Sequence, residues 1–412
     1  MSNEKIIKSK EDFKKIISWS YNHEKLSINV SKYVFKIEVN LLECIRDNID
    51  VGLTTDHIFG LSFYECVFEE AFIFDWTIFG VASFNKTIFK KNANFSRTVF
   101  KSDSTFVDSV FEQGVSFDNT CFESKIRFYR TKFKGVADFN NTKFKNLADF
   151  WSAIFYSTTI FYKTDFLGTT VFSTTTFNEN VLFTYTLIKE LIILRDTKFE
   201  KGLDLSLAII SGKTNIFNIK LHDYQDVSDT NDIEEFEDNV SEKGVITRKN
   251  KRETFRIIKN QLMLNQNNID AIYFYSIEMK SYAKQLHQEI FNEKIFKNIL
   301  DYFVLKLNWL SNKNGVSWGR GIIFTFLAGC LFLYLSIIST ECYFIDFRII
   351  NSVDFLKCFK YFFIFILPTH NANFLDAENP TKLFYLFDFL GRIFVSYGIY
   401  QTIQAFRKYK SK

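Results

Sequence analysis

From residue 95 to residue 183 phenylalanine recurs at alternating steps of five and six. The positions are Phe95, Phe100, Phe106, Phe111, Phe117, Phe122, Phe128, Phe133, Phe139, Phe144, Phe150, Phe155, Phe161, Phe166, Phe172, Phe177 and Phe183. A backbone that accepts this pattern must return to the same environment every eleven residues. The phase continues in aliphatic residues through Ile188, Leu194, Phe199, Leu205, Ile210, Ile216 and Leu221. Upstream it runs through Phe89, Phe84, Phe79, Phe74, Phe68 and Phe63, with one step of six replaced by a five. Two residues before these anchors lies a second column, small or β-branched. It reads Ala82, Thr87, Ala93, Thr98, Ser104, Ser109, Val115, Thr120, Ile126, Thr131, Ala137, Thr142, Ala148, Ala153, Thr159, Thr164, Thr170 and Thr175.

A helix could also carry an eleven-residue period, as about three turns. A step of five would rotate a helix by roughly 140°, splitting the phenylalanines between two stripes. The segment is moreover rich in Thr, Phe, Asn and Ser, which are weak helix formers. Strand geometry fits instead. Residues i and i−2 share a face, so each short side buries one Phe and one small residue. The intervening polar pairs, such as Asn140–Asn141 and Gly168–Thr169, are turn-prone. The expected object is a coil of short straight sides.

A small residue two before a large apolar one, at about every five residues, resembles the pentapeptide-repeat proteins. The resemblance covers residues 58–221 and implies a β-solenoid, a right-handed quadrilateral β-helix. This chain departs from the strict period of five by inserting one residue at every second side, so a four-sided coil takes up two of the eleven-residue periods. Four sides per coil give roughly seven or eight coils, a rod about 35 Å long at ~4.8 Å per coil. Each Phe then stacks on its counterparts in the adjacent coils, and its full burial is worth roughly 1.5–3 kcal/mol. These rings are expected in the core, not in a ligand site.

Some pentapeptide-repeat proteins present an acidic, DNA-like rod to type II topoisomerases. Residues 58–221 hold 17 acidic and 19 basic residues, interspersed, so that role is not expected here. The whole chain carries only +4, and no nucleic-acid partner is expected. Cys44, Cys66, Cys121, Cys330, Cys342 and Cys358 show no paired spacing and read as reduced thiols. His23, His57, His222, His287 and His370 are dispersed, and no phosphate-cradling loop or nucleophile–base pair stands out. No catalytic residue, cofactor or metal is expected.

Residues 1–57 precede the regular repeat and read as an N-terminal cap. Ser9 and Asp12 stand in capping-box spacing and predict a short helix from about 10 to 20, while 27–40 alternates like a strand. The start is charged, so no cleavable signal peptide is expected. Residues 222–250 form a charged linker: 222–242 hold nine acidic residues, and 243–256 are strongly basic. The expected reading is a solvated, self-neutralising connection. From 251 to 316 the period becomes helical, with Phe255, Ile258 and Leu262 on one face, and Ala271, Tyr275, Met279, Tyr282 and Leu286 on another. A turn at 265–268 makes a helical hairpin, and a further amphipathic helix ends near Trp309 and Trp318.

The segment 317–412 reads as a membrane domain. Residues 321–340 carry no charge and are long enough to span a bilayer. Residues 383–406 form a second expected span, and 355–368, interrupted by Lys357 and Lys360, a re-entrant or interfacial piece. Basic residues outside both spans predict an inner-membrane protein with cytoplasmic termini. Asp388 and Arg392, at i and i+4 within the second span, are the candidate polar pair; Gly391 beside them would allow close helix packing. Span, re-entrant piece, span is also the layout of a two-transmembrane channel module. A potassium filter would need a glycine-rich run where this chain has 366–374, Ile-Leu-Pro-Thr-His-Asn-Ala-Asn-Phe. Two functions are therefore expected from the sequence. The first is a non-enzymatic interaction or sensing scaffold bound to the lipid bilayer, with a protein partner of unknown kind. The alternative is an oligomeric channel-like protein gated by the solenoid.

Overall fold

The computed structural model describes residues 5–20, 25–41, 43, 59–75, 77–229, 232–241, 243–291, 295–340, 352–371, 374 and 381–409. Cys44, His23, His57, Cys342 and the side chains of Phe79 and Cys358 lie outside the described residues. The chain divides into two compact units, Met1–Ile257 and Ile258–Lys412.

The first unit is a parallel β-solenoid of about seven turns. Its strands, mostly two residues long, pair with the equivalent strands of adjacent coils: Val110–Phe111 joins Ile88–Phe89 below and Lys132–Phe133 above. The pairings fall into four ladders, represented by Phe111/Phe133, Val115/Ala137, Phe122/Phe144 and Ile126/Ala148. The ladders start ahead of the regular repeat, since Lys5–Ile7 pairs with Tyr33–Phe35, and that strand with Val67–Phe68. Ser9 caps α1 (Lys10–Lys14) by accepting from the Asp12 N–H. This helix is shorter than expected because strand Ile17–Ser20 follows and pairs antiparallel with Lys25–Ser31.

Phe95 through Phe183 are each at most 1% exposed in the repeat columns. Rings one coil apart stack nearly flat: Phe95–Phe117, Phe117–Phe139 and Phe139–Phe161 each lie 5.1 Å apart. Neighbouring columns meet edge to face, as Phe106–Phe117 at 5.8 Å and 85°. Such contacts add about 0.5–1.5 kcal/mol each beyond area burial.

The uneven step has a corner-by-corner cause. After one set of anchors the chain makes a four-residue turn, closed for example by the Thr120 N–H donating to Phe117 O at 2.9 Å. Its third residue has positive φ, as a type II turn requires. Every eleventh residue from Lys86 to Asp196 occupies this position, with φ between 51° and 57°. After the alternate anchors the corner is wider by one residue. In the coil where a six is replaced by a five, strand Ile78–Ser83 runs straight through that corner and pairs in two ladders.

The second column divides the same way. Hydroxyls after tight turns donate to the anchor carbonyl one coil away: Thr120 to Phe95 O, Thr142 to Phe117 O and Thr175 to Phe150 O, each at 2.7 Å. After wide corners the column is mainly apolar, and the Thr170 hydroxyl is buried without a partner among the described residues. Outside, ion pairs join adjacent coils, such as Glu112–Lys134 at 3.3 Å and Glu123–Lys145 at 2.8 Å. Exposed pairs of this kind contribute about 0–1 kcal/mol.

The charged segment after Leu221 is not a simple solvated linker. Helix α2 (Ile233–Ser241) brings Glu237 to accept from the Tyr162 hydroxyl at 2.6 Å and the Tyr185 hydroxyl at 3.1 Å. Burial, reinforced by Glu237, pushes the Tyr162 phenol up to about 12. In α3 (Arg248–Leu264), Lys251 is fully buried and pairs with Asp223 at 2.6 Å and Asp226 at 3.1 Å. Asp204, 1% exposed, accepts from Asn250 Nδ2 at 2.9 Å and Thr254 Oγ1 at 3.3 Å. Burial raises its carboxyl above the ordinary range, opposed by these donors and Ser206. These groups close an end of the coil, where polar atoms beneath the last strands need partners.

The second unit is helical. It contains the remainder of α3, then α4 (Asn268–Phe291), α5 (Ile295–Asn312), α6 (Trp318–Ile338), α7 (Ser352–Phe365) and α8 (Lys382–Phe406). The turn between α3 and α4 falls at Gln266, φ 60°, where the sequence predicts it. Among the described residues, two helices are long and apolar enough to cross a membrane, Trp318–Ile338 and Lys382–Tyr409, the second including a final 3-10 turn.

Candidate functional site in the helical unit

Helix α8 makes its main packing partner α6. At Gly391 a Cβ would press on the Phe365 ring and on Phe332 Cβ, and at Gly398 on the Thr325 hydroxyl and, at 3.1 Å, its Cα, so the two glycines leave room for these neighbours to lie close on α8. Such small-residue seams are the usual route to close apposition of apolar helices. Around Gly391 lies a core of Leu333, Ile337, Phe365, Phe374, Phe384 and Val395.

Inside this apolar setting sits an ionic cluster. Arg392 reaches back one turn, its Nε and Nη2 each 2.9 Å from Asp388 Oδ2. The sequence predicts this pair; it does not predict the third member. The chain turns after α7, the His370 N–H donating to Leu367 O at 3.0 Å, and this places the imidazole Nε2 2.7 Å from Asp388 Oδ1. The His370 side chain is 1% exposed, Asp388 5% and Arg392 28%. His370 Nδ1 lies 2.7 Å from Leu367 O. Both ring nitrogens thus face oxygen acceptors. Whichever tautomer the ring adopts, an N–H on it can donate to one of these two oxygens.

Phe365 and Phe374 flank the imidazole at 5.2 and 4.7 Å. A carboxylate in such surroundings requires its partners, because an unpaired buried charge is strongly unfavourable. The cluster therefore fastens the turn after α7 to the middle of α8. It contains no serine or cysteine nucleophile among the described residues, and no group of three or more metal-ligating side chains occurs among them.

At the other end of α8 the polar residues also find helix partners. Asn308 Oδ1 accepts from the Tyr397 hydroxyl at 2.6 Å and Gln401 Nε2 at 2.9 Å, and Asn312 Nδ2 donates to Gln401 O at 3.1 Å. This amide network ties α5 to α8. Tyr397 and Gln401 are polar residues in an otherwise apolar stretch of the sequence, whereas Asn308 and Asn312 carry no signal beyond the amphipathic pattern of α5. His370 had none either, since its partner lies 18 residues on and obeys no helical spacing.

Compared with family models, with curated proteins and with solved structures, the chain matches none.

Proposed function

We propose that this protein is a membrane-tethered, non-enzymatic interaction scaffold of the pentapeptide-repeat kind. In this reading the four ladders are the walls of a right-handed quadrilateral coil. Helices α6 and α8 cross the bilayer as a hairpin, with both termini on the cytoplasmic side of an inner membrane. The observation that supports it is a solenoid with a side-chain-filled interior, joined in one chain to two apolar helices of spanning length. Such a rod offers its outside for recognition. There, Trp151 and Phe217 are more than half exposed, and Arg195 lies over the Phe217 ring at 5.7 Å.

The test is affinity capture from membranes with the full chain and with a Trp151→Ser, Phe217→Ser variant. A stoichiometric partner, resistant to alkaline extraction with the bait and lost in the variant, is expected. Release of the chain by alkali, or identical capture by both baits, removes the reading.

A second reading is favoured by α7, which lies between the two apolar helices in sequence and packs on α6 through Phe326–Phe362 at 5.0 Å. Several copies could then surround a conduction path, with the ionic cluster near it. Unitary currents in planar bilayers, abolished by Asp388→Asn or Arg392→Gln, are its signature. Silent bilayers leave the scaffold.

A further inference from the structure

Three neighbouring cavities in the helical unit change chemistry in a fixed order. The first, about 760 Å³, runs between α6, α7 and α8 and is lined almost wholly by apolar groups, including Phe326, Phe362, Ile399 and Ile403. The second, about 900 Å³, shares Ile403 with the first and adds Met263, Phe406, Lys259 and Arg407. The third, about 220 Å³, shares Tyr275 and Arg407 with the second and is lined by amides of Asn308, Asn314, Gln401 and Gln404. An apolar cavity, then a largely apolar one with cationic groups at Lys259 and Arg407, then an amide-rich one follow the order of groups along a glycerophospholipid: acyl chain, phosphate, polar head.

We propose that these cavities together bind one anionic phospholipid, its chain along α6 and α8, its phosphate at Arg407 and its headgroup among the amides. The proposal rests on the membrane reading above and adds a ligand to it. Charge selects the ligand. Lys259 is already paired with Glu278 at 2.9 Å, and the Lys408 ammonium donates to Val316 O. Arg407 is exposed and has no ion-pair partner among the described residues, so its fork is available to a phosphate. Depth agrees with this assignment. The Trp318 and Phe406 rings stack at 5.3 Å, and Arg320 lies over Trp309 at 5.6 Å. Aromatic and basic residues together mark the level of lipid headgroups. Ile403, 54% exposed, is the point where the chain would pass from one cavity to the next.

The experiment uses the full chain in nanodiscs of phosphatidylcholine containing a minority of phosphatidylglycerol. Lipids retained after ejection are counted by native mass spectrometry. Selective retention of one phosphatidylglycerol is expected. Arg407→Gln should weaken it about tenfold, the scale of one charge-assisted contact. Ile403→Trp, which fills the junction, should reduce retention with Arg407 intact. Lys306→Gln removes the same charge at a fourth cavity, lined by His287 and Tyr302 and sharing only Asn314 with the third, and should change nothing. Thermal midpoints like the parent's show that the variants remain folded. Equal retention of both lipids, or equal loss in Arg407→Gln and Lys306→Gln, overturns the proposal while the membrane reading stands. Release of the chain from membranes by alkali overturns both.

Discussion

Phe139 in the solenoid and Asp388 in the helical unit are both buried, yet their partners are found by different rules. Phe139 touches Phe117 and Phe161, one coil to either side, as every anchor between Phe95 and Phe183 touches its own equivalents. Asp388 touches Arg392, four residues on, and His370, eighteen back, with no repetition anywhere else. The first interior is redundant and apolar, and is held by many equal contacts. The second is singular and polar, and depends on a few unequal ones. Damage should therefore spread along the coil in one unit and remain specific to a group in the other.

The sharpest way to break the comparison is Phe139→Ala. A buried Phe→Ala change removes about 3–5 kcal/mol, and hydrogen exchange should speed up in the coils on both sides. Protection lost at one coil only would show that the columns do not act together. Asp388→Ala should come next, at about 3 kcal/mol, the lower end for breaking a buried pair because Arg392 is partly exposed. Here the loss should be confined to α7 and α8, with the solenoid's exchange unchanged.

Two threonines five residues apart refine the picture within the solenoid. Thr175→Val removes a hydroxyl donating to Phe150 O and should destabilise by about 1 kcal/mol. Thr170→Val removes a buried hydroxyl with no partner among the described residues and should be neutral or stabilising by under about 1 kcal/mol. Denaturant unfolding of both variants tests whether the two corner types differ; equal losses would refute it.

The smallest effect concerns pH. Burial raises the folded-state pKa of Asp204 above the ordinary 3.8, so the native state holds its proton more tightly than the unfolded chain. Its stabilisation is complete below the unfolded value and is lost as pH rises through the folded one. Stability measured against pH should carry this decline, and Asp204→Asn should flatten it. A variant curve parallel to the parent's would remove Asp204 as the source.

The contrast between units also explains what could be read in advance. The Phe columns were legible because strand pairing converts a period into a contact: once a coil takes up two periods, Phe117, Phe139 and Phe161 must meet. The second column was seen, but not its split into hydroxyl donors and apolar residues. That split depends on which corner brings an anchor carbonyl within reach, and corner geometry is not written in hydrophobicity. Asp388–Arg392 was legible from helical spacing. His370 was not, because a turn after α7 rather than any periodicity carries it to α8. The charged segment misled for a related reason. Lys251, Asp223 and Asp226 look like solvated charges until the end of a coil is seen to need a polar lid.

The left-handed residue at each tight turn has a further consequence. Lys86, Arg97, Asp108, Asn119, Arg130, Asn141, Ser152, Lys163, Thr174, Tyr185 and Asp196 share a backbone shape and nearly nothing else. The demand they share is tolerance of positive φ, which Asn and Asp meet best and other residues at modest strain; beyond it each makes its own outer contacts, as Arg130 pairs with Asp108 at 2.7 Å and Tyr185 reaches Glu237. Along two edges of the rod the chain thus keeps a margin on which evolution can write and erase, one letter per coil, without disturbing the text beneath.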